Sequence, residues 1–214
     1  MTMKYIIMCG GYPKWEKWHA EVCGEALVAR TIRLLKEAGI DDINISSNRK
    51  GFKKYGVPIL KHDNNFHDGD HDTDWVDAFY PTDEPTTYLM GDVFYSPEAI
   101  RIIRDFTVDD VMFFASGPYT FAPAYIKPWG EPFAFKVMDT AYFRRCIDIT
   151  RTYKQQGKFV REPISWELWQ VIRNTRLNYI ENNYCSINDY TCDVDGPEDI
   201  PRLEAVLSTY GIAP

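Results

Sequence analysis

KYIIMCGGYPKWEKWHAEVCGEALV, residues 4–28, is the stretch from which the rest of the chain is read. A short, continuous apolar run from Tyr5 to Met8 reads as a buried strand and stops at Gly10-Gly11. A loop carrying Lys14 and Lys17 follows, and a helix pattern opens near Ala26. Strand, glycine turn, cationic loop and helix suit a phosphate. Glycines let backbone N–H groups approach its oxygens, and lysines offset its charge. Two adjacent glycines alone make only a turn, so the remaining sequence has to decide whether a ligand sits there.

Working outward, Ala26 to Ala38 reads as an amphipathic helix with Arg30, Arg33 and Lys36 off its apolar face, and Gly39 as its terminator. Asp42 to Ser46 is a second strand, so the opening predicts a right-handed βαβ unit with parallel strands. Arg49 to Gly56 reads as a short helix and Pro58 to Lys61 as a third strand. Residues 62–85 are polar and acidic, with one brief helix around Trp75 to Phe79 started by Thr73 or Asp74. Thr86 to Met90 is a strand that stops at Gly91-Asp92. Ser96-Pro97-Glu98 opens a helix: serine caps it, proline suits its first position and glutamate the positive end of its dipole. Val111 to Ala115 and Phe133 to Val137 read as further strands. Helices are expected over Thr140 to Gln156 and Ser165 to Thr175, a late strand over Tyr184 to Ile187, and a last helix ending near Gly211. Alternating strands and helices predict a three-layer α/β/α domain with a mixed, mostly parallel central sheet. The chain reads as one domain, residues 1–214, with a substrate-facing sub-lobe around 118–170.

Composition narrows the partners. The net charge of −7 argues against general affinity for nucleic acid, which calls for a basic face. A local lysine cluster or a metal ion can still reverse the potential within one pocket. The five cysteines are dispersed and form no CxxC pair, so neither a disulfide framework nor a zinc knuckle is suggested. No apolar run nears the ~18 residues of a membrane span, and the N-terminal apolar run is too short to be expected to serve as a secretory signal. A reduced, cytoplasmic protein without membrane attachment is expected.

Two further features carry chemistry. Asp92 directly follows a strand, which puts its carboxylate at the edge where open α/β sheets bind ligands. Asp193 and Asp195 flank Val194; in an extended stretch both carboxylates point to one side. Mg²⁺ takes one or two carboxylates together with substrate phosphates. The alternatives are an Asp in a strand–loop turn, and a turn at Asp195-Gly196-Pro197-Glu198 that only caps a helix.

Together these pieces resemble the GT-A-type nucleotidyltransferases, the group that includes sugar-phosphate nucleotidyltransferases and the molybdenum-cofactor guanylyltransferase and phosphocholine cytidylyltransferase types. The family opens with roughly L-A-G-G-x-G-x-R and continues P-K-x-L-x-x-x-x-G-K-P-L-L. Met8-Cys9-Gly10-Gly11 matches the start, Lys17 lies seven residues before Gly24 as the family's lysine does, and Gly24 to Val28 matches in shape. Tyr88 to Asp92 resembles the central strand that ends in a metal-binding aspartate. Asp193 to Asp199 resembles the late D-x-D-T-P-E-D segment, with Gly196 for threonine. The loop departs from the pattern: its second glycine and arginine are missing, Glu16 replaces the proline and Glu25 the second lysine.

The resemblance implies transfer of a nucleoside monophosphate from a triphosphate, CTP by mild preference, to a small phosphorylated acceptor with release of pyrophosphate. A sugar 1-phosphate or a phosphocholine-like compound, destined for a surface polysaccharide or lipid, is the expected acceptor. It further implies Mg²⁺ held by Asp92 and Asp195 with Asp193 beside them, and Lys17 and Asp92 as catalytic residues. Met8, Cys9, Gly10, Gly11, Lys14, Lys17 and Gly91 would hold the nucleotide, and Lys136 is offered for the acceptor's phosphate. The partners are thus two small molecules, with self-association into a homo-oligomer left open. A GT-A glycosyltransferase using a nucleotide-sugar and a decayed nucleotide-binding module are the alternatives. His62, His67 and His71 among aspartates match no zinc spacing and read as a solvated loop. Trp129, Trp166 and Trp169 read as acceptor-pocket candidates or, more simply, as core.

Overall fold

The computed structural model describes residues 3–10, 15–62, 75–117 and 130–212. Gly11, Lys14, His67, His71, Trp129 and the expected caps Thr73 and Asp74 lie outside the described residues, as does the 118–129 part of the expected sub-lobe.

In chain order the elements are β1 (Lys4–Met8), a hairpin of β2 (Glu21–Val22) and β3 (Glu25–Ala26), α1 (Leu27–Glu37), β4 (Ile43–Ser47) and β5 (Ile59–Lys61). Next come β6 (Thr86–Met90), β7 (Val93–Phe94), α2 (Pro97–Asp105), β8 (Val111–Ala115) and β9 (Pro132–Val137). The chain closes with α3 (Thr140–Gln155), α4 (Ser165–Arg173), β10 (Cys185–Ser186), β11 (Cys192–Asp193) and α5 (Asp199–Thr209).

A seven-stranded sheet in the order β10-β8-β9-β6-β1-β4-β5 forms the middle layer. β1 pairs in parallel with β4 and with β6, and only β9 runs against its neighbours. Strands sandwiched between helices are buried on both faces, which is why Tyr5 to Met8 and Thr86 to Met90 read as unbroken rather than alternating runs. Strand alternation sorts the two faces. Phe135 meets Phe143 of α3, and its cross-strand neighbour Phe113 packs edge-on against Trp166 of α4. Lys136, one residue along, points to α2 on the opposite face. Trp166 and Trp169 are core, each with its indole N–H satisfied, by the Gly130 carbonyl and by Asn183 Oδ1.

The helix signals work by the expected chemistry. Ser96 Oγ accepts from the Ala99 amide at 2.8 Å. Gly39, at φ +77°, lets Ile40 N–H return to Leu35 O and its own N–H to Lys36 O, a Schellman close of α1. Three local features differ from expectation. Arg49 to Gly56 holds one 3-10 turn, Phe52–Tyr55, between two left-handed glycines, Gly51 and Gly56, too short for an α-helix. The approach to α1 is a hairpin whose two turn residues, Cys23 and Gly24, both have positive φ, as a type I′ turn needs. The segment before α5 is also more than a turn: Cys192-Asp193 forms an antiparallel pair with Val93-Phe94. No disulfide joins the five cysteines. Among the described residues no helix is long and apolar enough to cross a membrane.

Candidate active site

The strand order places a crevice. From β1 the chain moves outward to β4 and β5, then returns to the other side of β1 as β6. Such a reversal opens a cleft beyond the carboxyl ends of the two strands, where open α/β sheets bind ligands. Met8 and Met90 are register partners at those ends, so Gly10 and Gly91 face the same opening.

Gly91 is required there by space. Its N–H donates to Met8 O at 3.0 Å, and a Cβ on it would lie 2.5 Å from that oxygen, 2.6 Å from Cys9 Sγ and 3.0 Å from Trp18 Cδ1. Trp18 is buried against this bare backbone. It belongs to a single 3-10 turn, Lys17–His19, so burial of the indole aims the preceding residue, Lys17, at the mouth of the crevice. His19 braces the same turn: Nδ1 lies 2.7 Å from Tyr55 Oη, and its ring packs on Phe52.

Lys17 Nζ sits 2.5 Å from Asp92 Oδ2 and 3.3 Å from Asp195 Oδ1. The lysine and Asp92 side chains are 21% and 22% exposed, Asp195 51%. Burial pulls the Lys17 ammonium toward neutrality, but the charges of Asp92, Asp195 and Asp193 and the hydrogen bond to Asp92 outweigh it. The side chain is therefore held above the ordinary lysine range and stays charged. Backbone pairing brings the two acids together. Beyond the β7–β11 pair, Val194 N–H donates to Asp92 O at 2.9 Å. Val194 is fully buried, so alternation turns Asp193 and Asp195 to the other side of their stretch. Asp199 then fixes the turn, its Oδ2 accepting from the Asp195 and Gly196 amides, both at 3.0 Å.

Two carboxylates from turns that follow separate strands, converging on one cation, match the donors a hard divalent ion takes when phosphates complete its shell. Among the described residues no cluster of three or more metal-type ligands exists. The arrangement suits an ion shared with a substrate rather than a closed structural site.

The cradle expected from Met8 to Gly11 is narrower. Cys9 N–H is committed to Ser46 O at 2.8 Å, Cys9 O accepts from Ser47 Oγ at 2.7 Å, and Met8 O accepts from Gly91. Met8 and Cys9 thus form the buried floor, and Gly10 is the described residue of that run beyond it. The His62 ring packs so closely on Gly10 that a Cβ there would lie 2.4 Å from Cε1. Beside this floor stands a cation the sequence reading missed. The Arg49 amide donates to Ser47 Oγ at 3.0 Å, and its guanidinium lies 3.3 Å from Glu16 Oε1, next to Lys17 in the chain.

Lys136, expected to hold the acceptor's phosphate, lies apart from the other expected site residues. It pairs with Thr87, near the start of β6 and away from Asp92. Its Nζ donates to the carbonyls of Ile103, Arg104 and Phe106 at 3.3, 2.8 and 2.7 Å. It closes the C-terminal end of α2, whose last carbonyls lack partners within the helix.

Comparison with known proteins points to the fold. No family model matches the sequence, and no curated protein matches it. Solved structures do match over nearly the whole chain. A Bacillus anthracis protein assigned as a glucose-1-phosphate thymidylyltransferase, in complex with sucrose, superposes with a TM-score of 0.60 at 13% identity, covering 96% of this chain and 95% of that one. The 4-diphosphocytidyl-2C-methyl-D-erythritol synthase of Anaerococcus prevotii gives 0.54 at 13%, covering 97% and 98%. The inositol-1-phosphate CTP transferase of T. maritima gives 0.55 at 12%, covering 97% and 96%. The chain has the mixed, mostly parallel α/β fold of these nucleotidyltransferases.

Proposed function

We propose that this protein is a Mg²⁺-dependent nucleotidyltransferase that joins the nucleoside monophosphate of a triphosphate to a small phosphorylated acceptor and releases pyrophosphate. The carrying observation is the meeting of Lys17, Asp92 and Asp195 at the crevice between β1 and β6. In the reaction an acceptor phosphate oxygen forms a bond to the α-phosphorus, and the bond from that phosphorus to the β-phosphate bridging oxygen breaks. A phosphate monoester, with its second pKa at about 6, is already largely ionised at neutral pH, so no general base is required. Catalysis then consists of positioning and of neutralising charge around the five-coordinate phosphorus.

Asp92 and Asp195 would hold the metal, with Asp193 beside them; bound there, Mg²⁺ supplies charge neutralisation on phosphate oxygens. Lys17 delivers a fixed positive charge to the transferring and leaving phosphates. Gly10 offers close backbone approach, and Arg49 adds a second cation on the neighbouring strand end. The small acceptor class is supported by the glucose 1-phosphate and inositol 1-phosphate in the names of two structural neighbours, and CTP by the one named a CTP transferase. The test is pyrophosphate release, with each of four nucleoside triphosphates against a panel of sugar 1-phosphates and phosphocholine-like acceptors in Mg²⁺. Release with one pair is expected. Tight nucleotide binding without pyrophosphate from any pair, or turnover only of nucleotide-sugars, refutes the assignment.

A further inference from the structure

The position between Asp92 and Asp195 is filled by a cation that belongs to the chain. Lys17 Nζ touches one oxygen of each carboxylate, at 2.5 and 3.3 Å. These are the two side chains that the proposed function gives to the metal. An ammonium and a divalent cation cannot share those oxygens, because like charges at contact distance in a partly buried site repel strongly.

We propose that Lys17 is the resting occupant of the metal position, and that nucleotide admits the metal by drawing Lys17 onto its phosphates. This rests on the nucleotidyl-transfer reading and adds to it an order of events. The geometry allows the exchange without moving the backbone. Trp18 pins the 3-10 turn into the β1–β6 floor against Gly91, while the Lys17 stem has four rotatable carbons. The backbone beneath both carboxylates is held, since Val194 N–H ties to Asp92 O and Asp199 holds the amides of Asp195 and Gly196. The long Lys17 stem is the flexible part of the cluster, so displacement of its ammonium is the direct path to a free position. Lys17 supplies the counter-charge of Asp92 and Asp195 at rest, and the metal would supply it afterwards. A triphosphate brings the anionic oxygens that receive Lys17. By linkage, nucleotide then tightens metal binding and metal tightens nucleotide binding by the same factor.

The test uses the full chain and Mn²⁺ alone, followed by paramagnetic resonance of the free ion, with thermal melting as a check that each variant is folded. Lys17→Gln removes the resident charge and leaves a shorter, polar side chain; Lys17→Arg keeps the charge. Lys17→Gln is expected to bind Mn²⁺ without nucleotide at least about tenfold more tightly than the parent, within the usual span of coupling between sites. Lys17→Arg is expected to show no gain. The gain should vanish in Lys17→Gln/Asp92→Asn, which shows that the new affinity belongs to this site. Equal Mn²⁺ affinity in parent and Lys17→Gln overturns the proposal, even where the parent releases pyrophosphate and the functional reading stands. Tighter binding by Lys17→Gln upholds the proposal, even where no triphosphate–acceptor pair turns over and the functional reading falls.

Discussion

Two lysines at opposite ends of one sheet have opposite fates. Lys17 hangs over the carboxyl ends of the strands, among Asp92, Asp193 and Asp195. Lys136 lies toward the other end, inside the sheet–helix interface, among three peptide carbonyls. Both lose water. Full carboxylate charges outweigh that loss at Lys17 and raise its proton affinity, whereas burial dominates at Lys136 and lowers it. Dipoles can satisfy an ammonium's hydrogen bonds without repaying its desolvation. One end of the sheet therefore concentrates charge that a phosphate and a metal can use, and the other spends a lysine on closing a helix.

The contrast can be broken at its strongest point first. Asp92→Asn is expected to lower turnover about a thousandfold, the scale of the several kcal/mol that metal-assisted neutralisation supplies. Single-turnover pyrophosphate release measures it, and a loss under about tenfold would remove Asp92 from the centre of the mechanism. Lys17→Ala is expected to cost roughly 10²–10³ in kcat, as loss of one preorganised charge donor does. At the opposite end, Lys136→Ala should leave kcat and both KM values unchanged while destabilising the fold by about 1–3 kcal/mol, because the α2 carbonyls lose their donor. Urea denaturation reads the second effect, and a raised acceptor KM would return Lys136 to the site. Arg49→Ala is a subtler test of the charged end: nucleotide KM should rise a few fold, by roughly 1 kcal/mol, with kcat nearly kept.

Alkaline pH separates the two lysines by sign. Lys17 binds its proton more tightly folded than unfolded, so its stabilising contribution is complete at neutral pH. It disappears as pH rises through the folded-state value. Lys136 binds its proton less tightly folded. Between its lowered value and the ordinary lysine value, rising pH therefore favours the folded state at this residue. Stability curves for Lys17→Gln and Lys136→Met between neutral and alkaline pH should differ from the parent in opposite directions. Parallel curves would show that the two environments do not differ in the way described.

Much of the fold was legible because it is written locally. The Tyr5–Met8 run with its glycine stop, the Ser96-Pro97-Glu98 start of α2 and the Gly39 close of α1 need only neighbouring residues. What escaped was long-range or conformational. The reversed direction of β9 depends on its partners β6 and β8. The Cys23-Gly24 hairpin required a non-glycine residue at φ +51°. The Arg49–Glu16 pair joins residues 33 apart.

The sequence by itself determined the order of the main-sheet strands and of the helices, the glycine at Gly91 and the acid that follows it. Periodicity, caps and chain breaks are properties of contiguous residues. The resemblance singled out Lys17 as a catalytic residue with Asp92; only the tertiary structure decided how it reaches the aspartates and where Lys136 goes. Lys17 reaches Asp195 across 178 residues, through a buried tryptophan on one side and a two-residue strand pair on the other. Lys136 is turned away by strand alternation onto α2. A side chain's charge is fixed by its chemistry, but its neighbours are fixed by packing, and the neighbours set what that charge does.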